Sequence, residues 1–203
     1  MDVFIVILFS YLSGSIPFGL ILTKIFKSQD VRKIGSGNIG ATNVLRTGNK
    51  SLAALTLILD ILKGYIPVVI AQQHFPELIQ LSCLLAFLGH VFPVWLKFKG
   101  GKGVATYLGI LLALSIQLSV LFIFTWVVVS LIFKYSSLSS MFSSLTVFIV
   151  TLIKDTALQS IDSNTYIDAE IRLILFIFFI LIIFTHRKNI SNLKNKTEHK
   201  IKI

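Results

Sequence analysis

The 203-residue chain is 55% hydrophobic and 14% charged, with a mean hydropathy of +0.85 and a net charge of +10. Soluble domains carry about a quarter charged residues, so a soluble globular fold is excluded. In a soluble protein such a charge would point to nucleic acid; here membrane topology accounts for the basic residues, and no nucleic-acid partner is expected.

Residues 3–22 form the first apolar block. It begins Met1-Asp2 without a basic stretch, and more apolar blocks follow. It is therefore expected to be a retained first helix rather than a cleaved signal. The blocks at 52–71, 78–96, 104–133 and 171–185 also carry almost no charge. Several approach the roughly 20 residues a helix needs to cross a bilayer, and most lack the polar face of a soluble helix. Backbone in lipid must satisfy its own hydrogen bonds. The predicted fold is an all-α membrane protein, one polytopic domain over 1–203 with no internal repeat and a basic cytoplasmic tail at 186–203. A single cysteine, Cys83, excludes an internal disulfide and reads as packing.

Polar segments interrupt these blocks at 26–50, 97–103, 134–140 and 154–170. With the N-terminus outside and seven crossings, every basic residue except Lys63, Lys154 and Arg172 falls on the inner side, and the C-terminus is cytoplasmic. The outer segments collect Asp2, Glu77, Asp155, Asp162, Asp168 and Glu170. The weak point is 104–133. As one helix it would span about 45 Å, too long for one upright crossing and short for two. A tight pair of short helices returns Lys134 to the inside; one tilted helix gives five spans and leaves Lys134 outside. The charge distribution favours seven.

The stretch Gly35-Ser36-Gly37-Asn38-Ile39-Gly40-Ala41-Thr42-Asn43-Val44-Leu45-Arg46 opens with a formal GxGxxG. No strand precedes it and no βαβ unit surrounds it, so the dinucleotide reading fails. The underlying physics survives. Gly35, Gly37 and Gly40 let backbone N–H groups converge on an anion, Ser36, Asn38, Thr42 and Asn43 add neutral donors, and Arg46 offers a bidentate phosphate contact. A flexible connector of turn residues would look the same. The second stretch runs from Gly89-His90 through Pro93, Trp95, Lys97, Lys99, Gly100, Gly101, Lys102 and Gly103 to Thr106. Walker spacing is absent, yet lysines among glycines where a helix begins suit a phosphate. Positive-inside anchoring explains Lys97 and Lys99 well; it explains Lys102, flanked by glycines, less well.

Asp60 and Lys63 stand one turn apart inside the second block, where isolated charges are expensive; they either pair structurally or support a polar site. Ser136, Ser137, Ser139 and Ser140 form a Ser-rich turn, or else donate to substrate. His186 and Asn189 share a face if the last helix continues, and His186 would meet the two cationic loops on the inner side. There is no HEXXH, Cys/His array, GxSxG elbow or EF-hand. No metal, cofactor or covalent nucleophile is expected. No histidine has an aspartate five residues on, so the HxxxxD arrangement of thioester-dependent acyltransferases is missing.

Residues 13–19 (Ser-Gly-Ser-Ile-Pro-Phe-Gly), the 35–46 stretch, Leu59–Gly64, the 89–106 stretch, Tyr135–Ser140 and His186-Arg187-Lys188-Asn189-Ile190 occur in that order. Together they closely resemble the bacterial membrane acyl-phosphate:glycerol-3-phosphate acyltransferases, the PlsY type, over nearly the whole chain. Departures are small: Ile39, Trp95 and Lys134 stand where many members have proline, phenylalanine and arginine, and after Ile190 the usual Arg-Leu-Leu run is lost. The resemblance implies a seven-helix, multi-pass enzyme of the bacterial inner membrane with its site facing the cytoplasm. It would move a fatty acyl group from acyl phosphate to the 1-hydroxyl of glycerol 3-phosphate, giving lysophosphatidic acid and phosphate for phospholipid synthesis. On this reading Lys102, His186, Asn189 and Ser36 are catalytic. Lys102 and the Gly100–Gly103 backbone would hold the acyl phosphate; His186, oriented by Asn189, would accept the hydroxyl proton unless the leaving phosphate does. Gly35, Gly37, Asn38, Gly40, Thr42, Asn43, Arg46, Asp60, Lys63, His90, Lys97, Lys99, Gly100, Gly101, Gly103, Ser139 and Ser140 are expected to bind substrate. The expected partners are the two substrates and membrane lipid. The competing reading is a small membrane carrier for an organic phosphate, against which the lack of repeated halves stands.

Overall fold

The computed structural model describes residues 1–158 and 169–201, which form helices and no strand. The polar stretch expected on the outer side, 154–170, lies largely outside the described residues, as does Lys202. The chain divides into two compact units, Met1–Ile116 and Gln117–Ile203.

In the first unit, α1 (Asp2–Ser15) and α2 (Phe18–Ile25) are bent by 44° at Ile16-Pro17. Pro17 has no N–H with which to continue the ladder. A connector follows, holding the 3-10 turn Val31–Lys33, the short helix α3 (Ala41–Val44) and the 3-10 turn Leu45–Thr47. It leads to α4 (Lys50–His74), whose start is capped by Asn49 accepting from the Leu52 N–H at 3.0 Å. Next come α5 (Ile79–Val91), the 3-10 turn Val94–Leu96, a glycine-rich segment and α6 (Val104–Leu114).

Lipid tails are as apolar as leucine, so helices in a membrane associate through close packing of small residues. Gly14 of α1 lies against the Ala86 carbonyl of α5, and Gly64 of α4 against the Thr106 carbonyl of α6; a Cβ at either glycine would overlap the opposing main chain. Ser10 and Ser82 hydrogen-bond at 2.9 Å between α1 and α5. Outward faces are apolar instead: Ile58 of α4 is exposed, and in the second unit Phe124 and Ile132 are each 66% exposed. Buried serines beneath an exposed apolar exterior suit lipid, not water.

Among the described residues four stretches are long and apolar enough to cross a membrane: Lys50–His74, Pro76–Leu96, Ile116–Phe133 and Ser136–Ile153. Counting each bent pair as one span brings the number to six. The 104–133 run divides at Ser115, whose φ of −163° and ψ of 119° are extended, into α6 and α7 (Ile116–Phe133). The division is unequal, since α6 has 11 residues and α7 has 18.

The second unit holds α7, α8 (Ser136–Leu158), α9 (Ala169–Thr185) and α10 (Arg187–Lys194). Phe148 of α8 packs on Phe176 and Phe179 of α9, with ring centroids 5.1 and 6.4 Å away. The Ser-rich stretch expected as a turn is the opening of α8. Ser139 donates to the Tyr135 carbonyl at 2.9 Å, Ser140 to Ser136 at 2.8 Å and Ser143 to Ser139 at 2.7 Å. Serines on a buried helix face satisfy themselves on the preceding turn. Nor does the last helix continue: the segments either side of His186 meet at 55°. The chain beyond α10 is more than a basic tail. Ile201 N–H donates to the Lys134 carbonyl at 2.7 Å, and Glu198 accepts from Ser137, Asn189 and Asn192.

Candidate active site

The two glycine-bearing connectors of the first unit rest on one hydrophobic cluster. Val31, Ile39 and Val44 of the first are buried with Leu22, Leu52 and Ala53, and Leu96 of the second packs against them. Trp95 Nε1 donates to Ser15 Oγ at 2.8 Å, which fastens the second connector to the end of α1. The start of α4 and the end of α5 thus carry both connectors at one end of the unit.

Asn43 organises the first connector. Its buried amide donates to the carbonyls of Val31, Asn38 and Ile34 at 2.6, 2.8 and 3.2 Å. Its Oδ1 accepts from Ser36 N–H at 3.2 Å and Arg46 Nη1 at 3.0 Å. Gly40 N–H donates to Asn38 Oδ1 at 2.8 Å, and Gly37 N–H to the Ile34 carbonyl at 2.9 Å. The amides of Ser36, Gly37 and Gly40, expected to converge on an anion, are instead used to build the loop. Asn43, expected as a ligand donor, is used the same way. The side chains of Ser36, Asn38, Thr42 and Arg46 are half-buried, with Asn38 Oδ1 and Arg46 Nη1 engaged within the loop. Gly35 and Gly37 have φ of +52° and +69°, where glycine alone is unstrained. A Cβ on Gly35 would also lie 2.8 Å from Arg46 Nη1.

The second connector folds back on α5. Gly100 N–H donates to the Val91 carbonyl and Gly101 N–H to that of His90, both at 3.0 Å. These two amides, expected to cradle a phosphate, therefore cap the helix instead, because the last carbonyls of a helix lack intrahelical donors. Lys97 and Lys99 are exposed, with left-handed backbone at Lys97 and Phe98, as surface anchors would be. Lys102 is half-buried, and Gly103 (φ +82°) caps α6.

Asp60 and Lys63 pair at 2.8 Å in the middle of α4, both less than 5% exposed. Lys63 Nζ also donates to the Ile16 carbonyl at 2.7 Å, so the pair fixes the α1–α2 bend. His90 Nδ1 lies 3.0 Å from Thr106 Oγ1 and 3.9 Å from Asp60 Oδ1. Asp60, Lys63 and His90 are enclosed by protein and support the site from behind rather than lining it. On the first connector Arg32 is engaged with Asp30, Nη2 to Oδ2 at 2.7 Å. That side-chain bond, aided by one from the Arg32 N–H, holds the Asp30 carboxyl down at about 2.

In the second unit His186 and Asn189 are both buried. His186 Nδ1 lies 2.8 Å from the Ile182 carbonyl, which can only accept. Asn189 donates instead to Glu198 Oε1 at 2.6 Å. The Ile182 carbonyl thus fixes one side of the His186 ring, and Asn189 ties α10 to the chain that follows it. Ser139 and Ser140 are buried with their hydroxyls turned onto their own helix. Sequence reading missed Thr106 and Glu198. Glu198 left one signal, being the sole acid in an otherwise basic 186–203.

Residues 4–196 match the family described as glycerol-3-phosphate acyltransferase. The chain belongs to the glycerol-3-phosphate acyltransferase family. It is 54% identical over 203 residues to the glycerol-3-phosphate acyltransferase of Pelagibacter ubique (strain HTCC1062), covering 100% of both chains. With that of Mesorhizobium japonicum it is 50% identical over 196 residues, 96% of this chain and 94% of the relative. Among solved structures it resembles PlsY (YgiH), an integral membrane glycerol 3-phosphate acyltransferase, in its glycerol 3-phosphate form. The TM-score is 0.89 at 35% identity, covering 100% of this chain and 96% of the other. The lysophosphatidic acid form gives 0.87 at 34%, covering 98% and 95%. Membership makes this acyltransferase a multi-pass membrane enzyme of phospholipid synthesis and displaces the carrier reading.

Proposed function

We propose that this enzyme takes its acyl group from acyl phosphate and delivers it to the 1-hydroxyl of glycerol 3-phosphate. The hydroxyl oxygen attacks the acyl carbon, the bond from that carbon to the phosphate oxygen breaks, and phosphate leaves with the electron pair. Lysophosphatidic acid and phosphate result. Acyl phosphate is a mixed anhydride, so the protein needs to position and stabilise charge rather than supply a nucleophile. Lys102 stabilises the leaving phosphate. Ser36, Asn38, Thr42 and Arg46 hold the acceptor phosphate with their side chains. His186 takes the hydroxyl proton on Nε2, since the Ile182 carbonyl keeps the ring proton on Nδ1. Asn189 is assigned a supporting role beside His186, held by its bond to Glu198.

The observation that carries the reading is the shared cluster under the two cationic connectors, which supports two phosphates held side by side at one membrane face. The basic residues support a cytoplasmic face in the bacterial inner membrane, with the N-terminus outside and the C-terminus inside. The break at Ser115 supports seven passes over five, and the family match across 4–196 supports one acyltransferase domain spanning both units. Purified protein in nanodiscs, given acyl phosphate and glycerol 3-phosphate without any gradient, should release lysophosphatidic acid and phosphate. Product from acyl thioester but not from acyl phosphate would overturn the donor assignment.

A further inference from the structure

We infer that His90 is a positioning residue that sets the place of Lys102 by holding the chain on both sides of it; this rests on the role given to Lys102 above. His90 is 4% exposed, enclosed by protein. Its own carbonyl accepts the Gly101 N–H at 3.0 Å, one residue before Lys102. Its ring fills the space beside Gly101, where a Cβ would overlap Nε2. Nδ1 meets Thr106 Oγ1 at 3.0 Å, one helical turn beyond Lys102. The first turn of α6 is fixed from a second direction, because the Thr106 carbonyl abuts Gly64 of α4.

His90 therefore holds Gly101 with its main-chain carbonyl and the packing of its ring, and Thr106 with Nδ1, and Lys102 is suspended between the two grips. Lysine is a flexible four-carbon stem ending in a point charge, so where its Cα sits decides what the ammonium can reach. An ordinary packing histidine would need neither the missing side chain at position 101 nor a partner on the following helix. Displacement of a catalytic group by about 1 Å can cost on the order of 100-fold in rate.

The test uses the full chain in nanodiscs, with kcat, KM for each substrate and melting temperature measured for every variant. His90→Ala should lower kcat by about 100-fold with smaller changes in either KM. Gly101→Ala should do the same while His90 is present, since the new Cβ meets the ring. The double variant should be no worse than His90→Ala alone, because the obstacle is gone, so the two effects fail to multiply. His90→Asn, which keeps a polar atom at the Nδ1 position for Thr106, should recover part of kcat. Multiplying losses, or a His90→Ala enzyme that melts earlier but turns over normally, would overturn the inference. If His90→Ala does not fold, Gly101→Ala and His90→Asn decide it: normal turnover in both removes it. Wild-type enzyme inactive with acyl phosphate would defeat the reading of Lys102 itself, a result visible before any variant is made.

Discussion

The two cationic connectors look alike in composition and are built in opposite ways. The first is wired from within: Asn43 bonds three carbonyls, one amide and one guanidinium, all inside residues 31–46. The second is fastened from outside, its glycine amides closed onto the end of α5 and its tryptophan onto the end of α1. A loop that carries its own hub keeps its shape wherever its ends are placed. A loop hung on neighbouring helices takes its shape from them, so its lysine reports on the packing of the bundle.

Removing the hub should break the contrast most severely. Asn43→Ala strands buried carbonyls and should destabilise the protein by about 3 kcal/mol, read as a lower melting temperature together with near-complete loss of turnover. Asn43→Asp keeps the acceptor but sets a buried carboxylate oxygen against the same carbonyls, so it should be no more stable than the alanine variant. Lys102→Ala should leave the fold intact and lower kcat by about 100-fold or more, with less change in KM for glycerol 3-phosphate; a change confined to that KM would move Lys102 to the acceptor side. Gly35→Ala forces a left-handed alanine against Arg46, a strain of about 1–2 kcal/mol. It should raise KM for glycerol 3-phosphate roughly tenfold and spare the donor. The smallest effect belongs to the exposed Asp30–Arg32 pair. Asp30 is lowered to about 2 from an ordinary 3.8, so its contribution is present above 3.8 and is lost as pH falls through about 2. Arg32→Ala should return the Asp30 titration, followed by carboxyl NMR, toward 3.8 with turnover at neutral pH unchanged.

Much of the fold could be read from residue type alone. Uncharged blocks marked the helices, and a run too long for one crossing and short for two marked the break that falls at Ser115. The two connectors were legible as breaks between those blocks, because glycines clustered beside Arg46 and Lys102 interrupt otherwise apolar sequence. What the sequence does not display is direction. Composition counts donors at Gly100, Gly101, Asn43, Ser139 and Ser140, but whether each turns toward a ligand or toward its own chain depends on which carbonyls the fold leaves without partners. The bend at His186 is hidden likewise, since no proline or glycine announces it. Glu198 was overlooked because surrounding lysines made the segment look like a surface anchor.

The Lys63 contact with Ile16 has a consequence for how the chain is assembled. The kink at Pro17 turns the Ile16 carbonyl out of the helical ladder, and the ammonium that meets it is encoded 47 positions later. A nascent chain halted before Lys63 would keep the Phe18 N–H on that carbonyl at 3.1 Å but lack the ammonium that ties the bend to α4. The proline makes the bend, and α4 is what moors it to the bundle.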